Sequence, residues 1–441
     1  MPSPPRQPWR AVFEGDEKQD FLAAVEEIAA AIAEPTPDMF PRLKLFGHQQ
    51  LEGACFEAEL AGGRGGMVLF FLYRSLARRP HRECDITERL LNQALEMLPM
   101  TPPHLGLYSG LPGVAWAATH SQDRLSTETA GDQCRQADED PFAAVDRLLL
   151  RHLSAAQGER NFDLVSGLTG IGVYALERLP RPAAKDILLL VLEHLADLAR
   201  AQATGIAWPT SPGQLPPEEL PLPPTGRHDL GMAHGNAGVI GFLSAAGARG
   251  GADTHSLLAE AVAWMLAQRP IAGTRALFPY WTSPSLSNDR PSRMGWCYGA
   301  PGIAVSLLNA ARCTGNSTWL TAALDLALNA AKVDRTSTRI HDAGLCHGAA
   351  GTGHLFNRMY QATGNEELGA AARFWLRTAL AMRRPGCGTG GFLAYYPGEG
   401  SKDPWVKDAG LLTGAAGVGL AFLAAATDNE PQWDRILLAS I

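Results

Sequence analysis

The sequence predicts an all-α protein, an α/α toroid of seven outer and seven inner helices. Three observations carry this reading. A G-x-x-G motif recurs along the 441 residues, each copy leads into an apolar and nearly uncharged segment, and an amphipathic segment separates one copy from the next. Self-similarity of this kind marks stacked helical units, none of which can bury its apolar face alone.

The elements follow in chain order. "KQDFLAAVEEIAAAIAE" at 18–34 opens as an amphipathic helix, with its charges on one side and Ala, Ile and Val at helical spacing on the other. "GGRGGMVLFFLY" from Gly62 is a weak first copy of the motif, followed by the amphipathic "DITERLLNQALEML". The pattern then alternates. "GLYSGLPGVAWAA" from Gly106 precedes "DPFAAVDRLLLRHLSAAQ", and "DLVSGLTGIGVYAL" from Asp163 precedes "RPAAKDILLLVLEHLADLARAQA". "GMAHGNAGVIGFL" from Gly231 precedes "HSLLAEAVAWMLAQ", and "GWCYGAPGIAVSLL" from Gly295 precedes "WLTAALDLALNAAKV". "GLCHGAAGTGHLF" from Gly344 precedes "EELGAAARFWLRTALAMRR", and "GLLTGAAGVGLAFL" from Gly410 closes the series. The glycines permit a tight turn, and Pro112 and Pro301 stand where a first-turn proline is tolerated. The amphipathic helices therefore face water, the post-glycine helices are buried, and the chain reads as one unit over 1–441 with all inner N-termini opening on one rim.

Composition narrows the functions. A net charge of -7 with no Lys/Arg cluster excludes a phosphate-tracking surface, so no nucleic-acid partner is expected. The first twenty residues have no apolar core of the kind a signal peptide needs, and a cytoplasmic location is expected. The uncharged stretch 410–427 matches the soluble repeats, so no integral membrane segment is expected either. Seven scattered cysteines without C-x-x-C argue against a disulfide framework.

If the glycine loops share one rim, corresponding positions meet although they are remote in sequence. The two residues before the second glycine of each copy are Tyr108/Ser109, Val165/Ser166, Ala233/His234, Cys297/Tyr298, Cys346/His347 and Leu412/Thr413. Metal-capable side chains fall in three consecutive copies. Cys297, Cys346 and His347 make a two-thiolate, one-imidazole set suited to Zn2+, and three protein ligands leave a fourth position open, as catalytic zinc sites do.

"WCYGAPG" at 296–302 and "CHGAAG" at 346–351, with "AHGNAG" from Ala233 and "DLVSGLTG" from Asp163, resemble the lanthionine synthetase C-like family, above all its stand-alone lanthipeptide cyclases. The resemblance spans nearly the whole chain. It implies a zinc-dependent cyclase that closes (methyl)lanthionine thioether rings, adding cysteine thiols of a dehydrated precursor peptide to dehydroalanine or dehydrobutyrine. It also implies a dehydratase and transporter complex as partners. By motif, Cys297, Cys346 and His347 match the family's zinc ligands, His234 and Asp163 its acid/base positions, and Arg293 an active-site arginine. An acidic residue often found beside that arginine is here Met294. The residues alone leave bland roles open: a turn cap for Asp163, a buried hydrogen bond for His234, a rim carboxylate partner for Arg293. His341 and His354 lie off the repeat position and read as structural or supporting residues, and Cys387 reads as part of a turn. The proline-rich link 204–230 is either a loop or a small β extension that touches the peptide.

The chemistry asks for these residue types. A cysteine thiol of pKa near 8.5 is mostly protonated at neutral pH, and zinc with helix N-termini favours its thiolate. Attack on the β-carbon leaves an enolate that needs a proton, and His234 is the candidate donor, oriented by Asp163. Two other readings stand beside this one. Some members of the family are regarded as glutathione-binding or glutathione-adding proteins. Protein prenyltransferase β-subunits also activate a thiol in an α/α barrel, using an Asp, Cys and His set, and "GGFLAYYPG" at 390–398 resembles their glycine-rich repeats.

Overall fold

The computed structural model describes residues 8–41, 55–78, 84–98, 104–128, 140–155, 160–215, 226–397 apart from 269, 271, 272, 275 and 289, and 403–440. Outer helices are α1 (Gly15–Ile32), α4 (Cys84–Met97), α6 (Ala143–Ser154), α8 (Pro182–Leu198), α10 (His255–Ala267), α12 (Ser317–Ala331) and α14 (Glu366–Ala381). Inner helices are α3 (Arg64–Ala77), α5 (Leu111–Glu128), α7 (Leu168–Arg178), α9 (Asn236–Gly250), α11 (Ala300–Thr314), α13 (Ala349–Thr363) and α15 (Ala415–Ala426). A four-residue helix α2 (Cys55–Ala58) precedes the first glycine loop.

Seven inner helices form a closed ring, each packed on the next and α15 packed back on α3. Six outer helices lie against the inner helix that precedes them in sequence, whereas α1 lies against α15. Alternation along the chain does not reveal that closure, because an N-terminal outer helix can belong to either neighbour. Here the first and last parts of the chain seal each other: the Val12 N–H donates to the Ala425 carbonyl (2.8 Å) and the Trp9 indole to the Ala424 carbonyl (2.8 Å).

Burial separates the two rings as the pattern predicts. Every residue of α7 and of α15 is buried, while α12 buries only a stripe of Ala323, Ala327 and Ala330, at helical spacing. The α11–α12 and α13–α14 connections use the same local chemistry. Gly315 and Gly364 end their helices in the left-handed region (φ 69° and 67°), and the following Asn316 and Asn365 accept backbone N–H groups of the next helix.

The motif glycine inside each inner helix has a steric cause. A Cβ on Gly351 would stand 1.7 Å from the Leu345 carbonyl oxygen, and one on Gly113 1.9 Å from that of Leu107. The weak first copy shares the contact, with Gly66 against Leu60 (2.5 Å). The loop therefore doubles back onto its own helix only if that position has no side chain.

Among the described residues there is little β structure. β1 (Arg200–Ala201) pairs with β2 (Ile206–Ala207), β3 (His228–Asp229) with β4 (Trp281–Thr282), and β5 (Ala394–Tyr395) with β6 (Trp405–Val406), all antiparallel. In the 204–230 link, Thr210 also bridges Arg227, and residues 216–225 lie outside the described part. Among the described residues no helix is long and apolar enough to cross a membrane.

Candidate functional site

The glycine loops do share one rim, and backbone hydrogen bonds stitch it shut. Ala61 N–H donates to Tyr108 O (3.0 Å), Tyr108 to Val165 (3.2 Å), Ala233 to Cys297 (3.3 Å), Cys297 to Cys346 (3.2 Å), Cys346 to Leu412 (2.6 Å) and Leu412 to Ala61 (2.9 Å). These are the residues two before the motif glycine in their copies. Only the third copy is offset by one, through Leu164 N–H to Ala233 O (3.1 Å). Because each loop spends its main-chain groups on its neighbour, corresponding side chains are held in register.

That register brings Cys297, Cys346 and His347 together. One ligand atom from each lies within 4.8 Å of the others, and Cys297 Sγ stands 3.9 Å from His347 Nδ1. A tetrahedral zinc ion would hold a sulfur and a nitrogen about 3.6 Å apart, so the donor set fits such an ion in chemistry and in spacing. Both cysteines are buried and His347 is partly exposed, which leaves approach from the rim side. The two thiols act on each other. A hydrogen bond from Cys346 holds Cys297 well below the usual thiol range against the cost of burial, with His347 and Arg293 adding to it. Cys346 is driven up by the same bond and by burial. A pair that already favours one thiolate is prepared for a cation.

His234 and Asp163 meet across 71 positions of sequence, with Nδ1 2.5 Å from Asp163 Oδ2. Asp163 also serves its own turn: Oδ1 accepts the Ser166 N–H at 2.8 Å. Capping and imidazole pairing are thus divided between its two oxygens. Burial opposes the charge on His234, yet Asp163, Asp229 and Cys297 together raise its pKa above the ordinary value, and burial of Asp163 is likewise overcome by His234, which lowers the carboxyl. Among the described residues Arg293 forms no ion pair with a rim carboxylate. Its guanidinium, disfavoured by burial, is supported by Cys297 and by a hydrogen bond with Tyr280.

Apart from Arg293, sequence reasoning missed the polar residue six places before the second motif glycine. Asn161, Asp342 and Asp408 close their loops by accepting the N–H two residues on (3.0, 3.0 and 2.7 Å). Asp229 at that position instead accepts the Tyr298 hydroxyl (3.3 Å), Arg227 Nε (3.1 Å) and the Thr210 hydroxyl (3.0 Å). The repeat alignment carried this signal, since every copy is polar there. His341 is exposed with its ring tilted against that of Tyr395 (4.6 Å between centroids), and His354 is buried far down α13, away from the metal-capable set.

The lanthionine synthetase C-like protein family matches residues 56–438. A zebrafish (Danio rerio) protein named glutathione S-transferase LANCL1 is 27% identical over 161 residues, covering 36% of this chain and 37% of that relative. The chain thus aligns with little more than a third of that curated relative. Among solved structures, nisin cyclase superposes with a TM-score of 0.66 at 16% identity, over 97% of this chain and 98% of the other, which places the two in one fold. With the family matched over most of its length and the α/α toroid in place, the chain belongs to the lanthionine synthetase C-like family.

Proposed function

We propose that the protein is a zinc-dependent lanthipeptide cyclase, a single unit over 1–441 acting in the cytoplasm on a dehydrated precursor peptide. The observation that carries this reading is the three-donor set Cys297, Cys346 and His347 on the same rim as the His234–Asp163 pair. Bound by that set, zinc would supply acidity to a peptide thiol entering its fourth position.

The chain's own residues do the rest. Arg293, close enough to Cys297 to be felt by its charge, favours negative sulfur at the rim. In the addition, the thiol gives up its proton to solvent, a carbon–sulfur bond forms at the β-carbon, and the π pair moves onto the α-carbon and its carbonyl. His234, whose protonated form Asp163 favours, delivers a proton to the α-carbon and is recharged from solvent. Tyr298 lies beside it, its ring centroid 6.5 Å from that of His234, and fixes one wall of the space where the acceptor must sit. The 204–230 link and a docked dehydratase or transporter belong to the same reading as peptide-handling partners.

The partial likeness to a glutathione S-transferase favours one second reading, in which the attacking thiol is that of glutathione. Both are tested together. Purified protein is incubated with a dehydrated Cys-containing precursor, with and without chelator, and remaining thiols are counted by alkylation and mass spectrometry. Chelator-sensitive thiol loss that disappears in Cys346→Ala supports cyclisation. Persistent peptide thiols, with a mass gain of one glutathione when that thiol is added, move the function to glutathione addition.

A further inference from the structure

The axis of the inner ring is filled. The 3-10 turn Gln432–Leu437 and the residues after it run inside the toroid, where Trp433, Asp434, Ile436, Leu437, Leu438 and Ala439 are at most 4% exposed. At the lower end Asp434 accepts Arg358 Nε (2.6 Å) and Nη2 (2.8 Å) and pairs with His354 Nε2 (2.8 Å), and Trp433 stacks on the same imidazole (4.8 Å). Arg435 reaches Glu177 at 3.2 Å. At the upper end the segment meets the rim. The Trp296 indole N–H donates to the Leu437 carbonyl (2.8 Å), the Tyr108 hydroxyl to the Ile436 carbonyl (2.8 Å), and Asn309 Nδ2 to the Leu438 carbonyl (2.9 Å).

Trp296 directly precedes Cys297, and its backbone N–H is bonded to the Cys346 carbonyl at 2.9 Å. Tyr108 occupies the equivalent of Cys297 in the second copy, and the two rings lie 5.8 Å apart. The floor beneath the metal-capable set is therefore built from two buried aromatic side chains whose polar atoms are spent on tail carbonyls. Displacing the tail would leave both buried donors unpaired, which is unfavourable, so the loop geometry and the seating of the tail are coupled. Resting on the metal-site reading above, the structure assigns residues 432–438 a positioning role: locked below by Asp434, they hold Trp296, and through it Cys297, in ligating geometry.

The test compares three variants with the wild-type protein. Trp296→Phe removes only the indole donor, Asp434→Asn loosens the lock, and Asp146→Asn breaks a buried pair with Arg178 (2.7 Å) that does not involve the tail. Zinc affinity is measured by competition with a chromophoric chelator, and the thiolate-to-cobalt charge-transfer band is recorded after Co2+ loading, both well below each melting temperature. Residues supporting metal ligands typically contribute 10- to 100-fold in affinity. Trp296→Phe and Asp434→Asn should each weaken zinc about tenfold and shift the cobalt band, whereas Asp146→Asn should lower only the melting temperature. Should the first two behave like Asp146→Asn, the tail is a stabilising plug and the positioning role is overturned with the metal site intact. If Asp434→Asn fails to fold, Trp296→Phe alone decides. Absence of zinc and cobalt binding by the wild-type protein would overturn the metal reading and this inference together.

Discussion

Three buried or half-buried histidines inside the toroid each pair with a carboxylate, and they do not behave alike. At the rim, His234 against Asp163 is raised above the ordinary imidazole pKa. Deeper in the toroid, on α5 and α13, His120 against Glu177 (2.7 Å) and His354 against Asp434 (2.8 Å) are lowered, because burial outweighs the carboxylate in each. The arginines account for the difference. Glu177 is also bound by Arg249 (3.1 Å) and Arg435, and Asp434 by Arg358, so permanent cations share both carboxylates and, with burial, oppose a charge on the imidazole beside them. Asp163 has an imidazole and N–H groups around it, with Asp229 and Cys297 adding negative charge near the ring. One pair type thus favours a charged imidazole at one end, as the proposed proton donor requires, and disfavours it at the other.

Removing His234 tests the rim half of that contrast and should have the largest effect. With His234→Asn, thiol loss should slow by about 10²- to 10⁴-fold, the usual worth of general acid/base help, while zinc content and melting temperature stay near wild type. A variant of undiminished rate would show that the α-carbon takes its proton from solvent. Breaking the other half, Arg358→Gln leaves Asp434 buried without its cation, which typically costs about 3–5 kcal/mol. Denaturant unfolding measures that loss, and NMR titration of His354 should show its pKa rising, so that the lower pair comes to resemble the rim pair. An unmoved His354 would refute the role given to arginine.

The two ends also differ in how far the sequence disclosed them. The glycine register was enough to align seven loops, and alignment alone placed Cys297, Cys346, His347 and His234 on one rim, because the backbone ring of hydrogen bonds preserves that register in space. Nothing comparable marks the lower end. Asp434 and Arg435 come from a tail outside every repeat, and their partners Arg358, His354 and Glu177 sit in helices whose pattern reads only as buried. A charge inside an apolar helix announces that it needs a partner, not where in the chain the partner lies. The pairing of α1 with α15 was hidden for a similar reason, since strict alternation is compatible with either neighbour. Arg293 was legible by motif, but its support by Tyr280 was not, as that residue lies in an irregular link with no periodicity to read.

The smallest expected effect is a difference in how stability responds to pH, and its sign separates the two ends. Unperturbed Asp and His titrate near 3.9 and 6.5. The lowered carboxyl of Asp163 stabilises the fold above about pH 4, a contribution lost as pH falls through its folded-state value. The raised imidazole of His234 stabilises below about pH 6.5, a contribution lost as pH rises through its own elevated value. Both are present together only between those limits. His120 and His354 slope the other way: with folded-state values depressed, they favour the fold at high pH and oppose it as pH drops through the unfolded-state value. In chelator-treated protein, the stability gap between wild type and Asp163→Asn should be widest at about pH 4–6.5 and close on either side, as read from urea midpoints at a series of pH values. A gap that instead widened above neutrality would place His234 with the uncharged imidazoles of the lower end and take away its part as the proton donor.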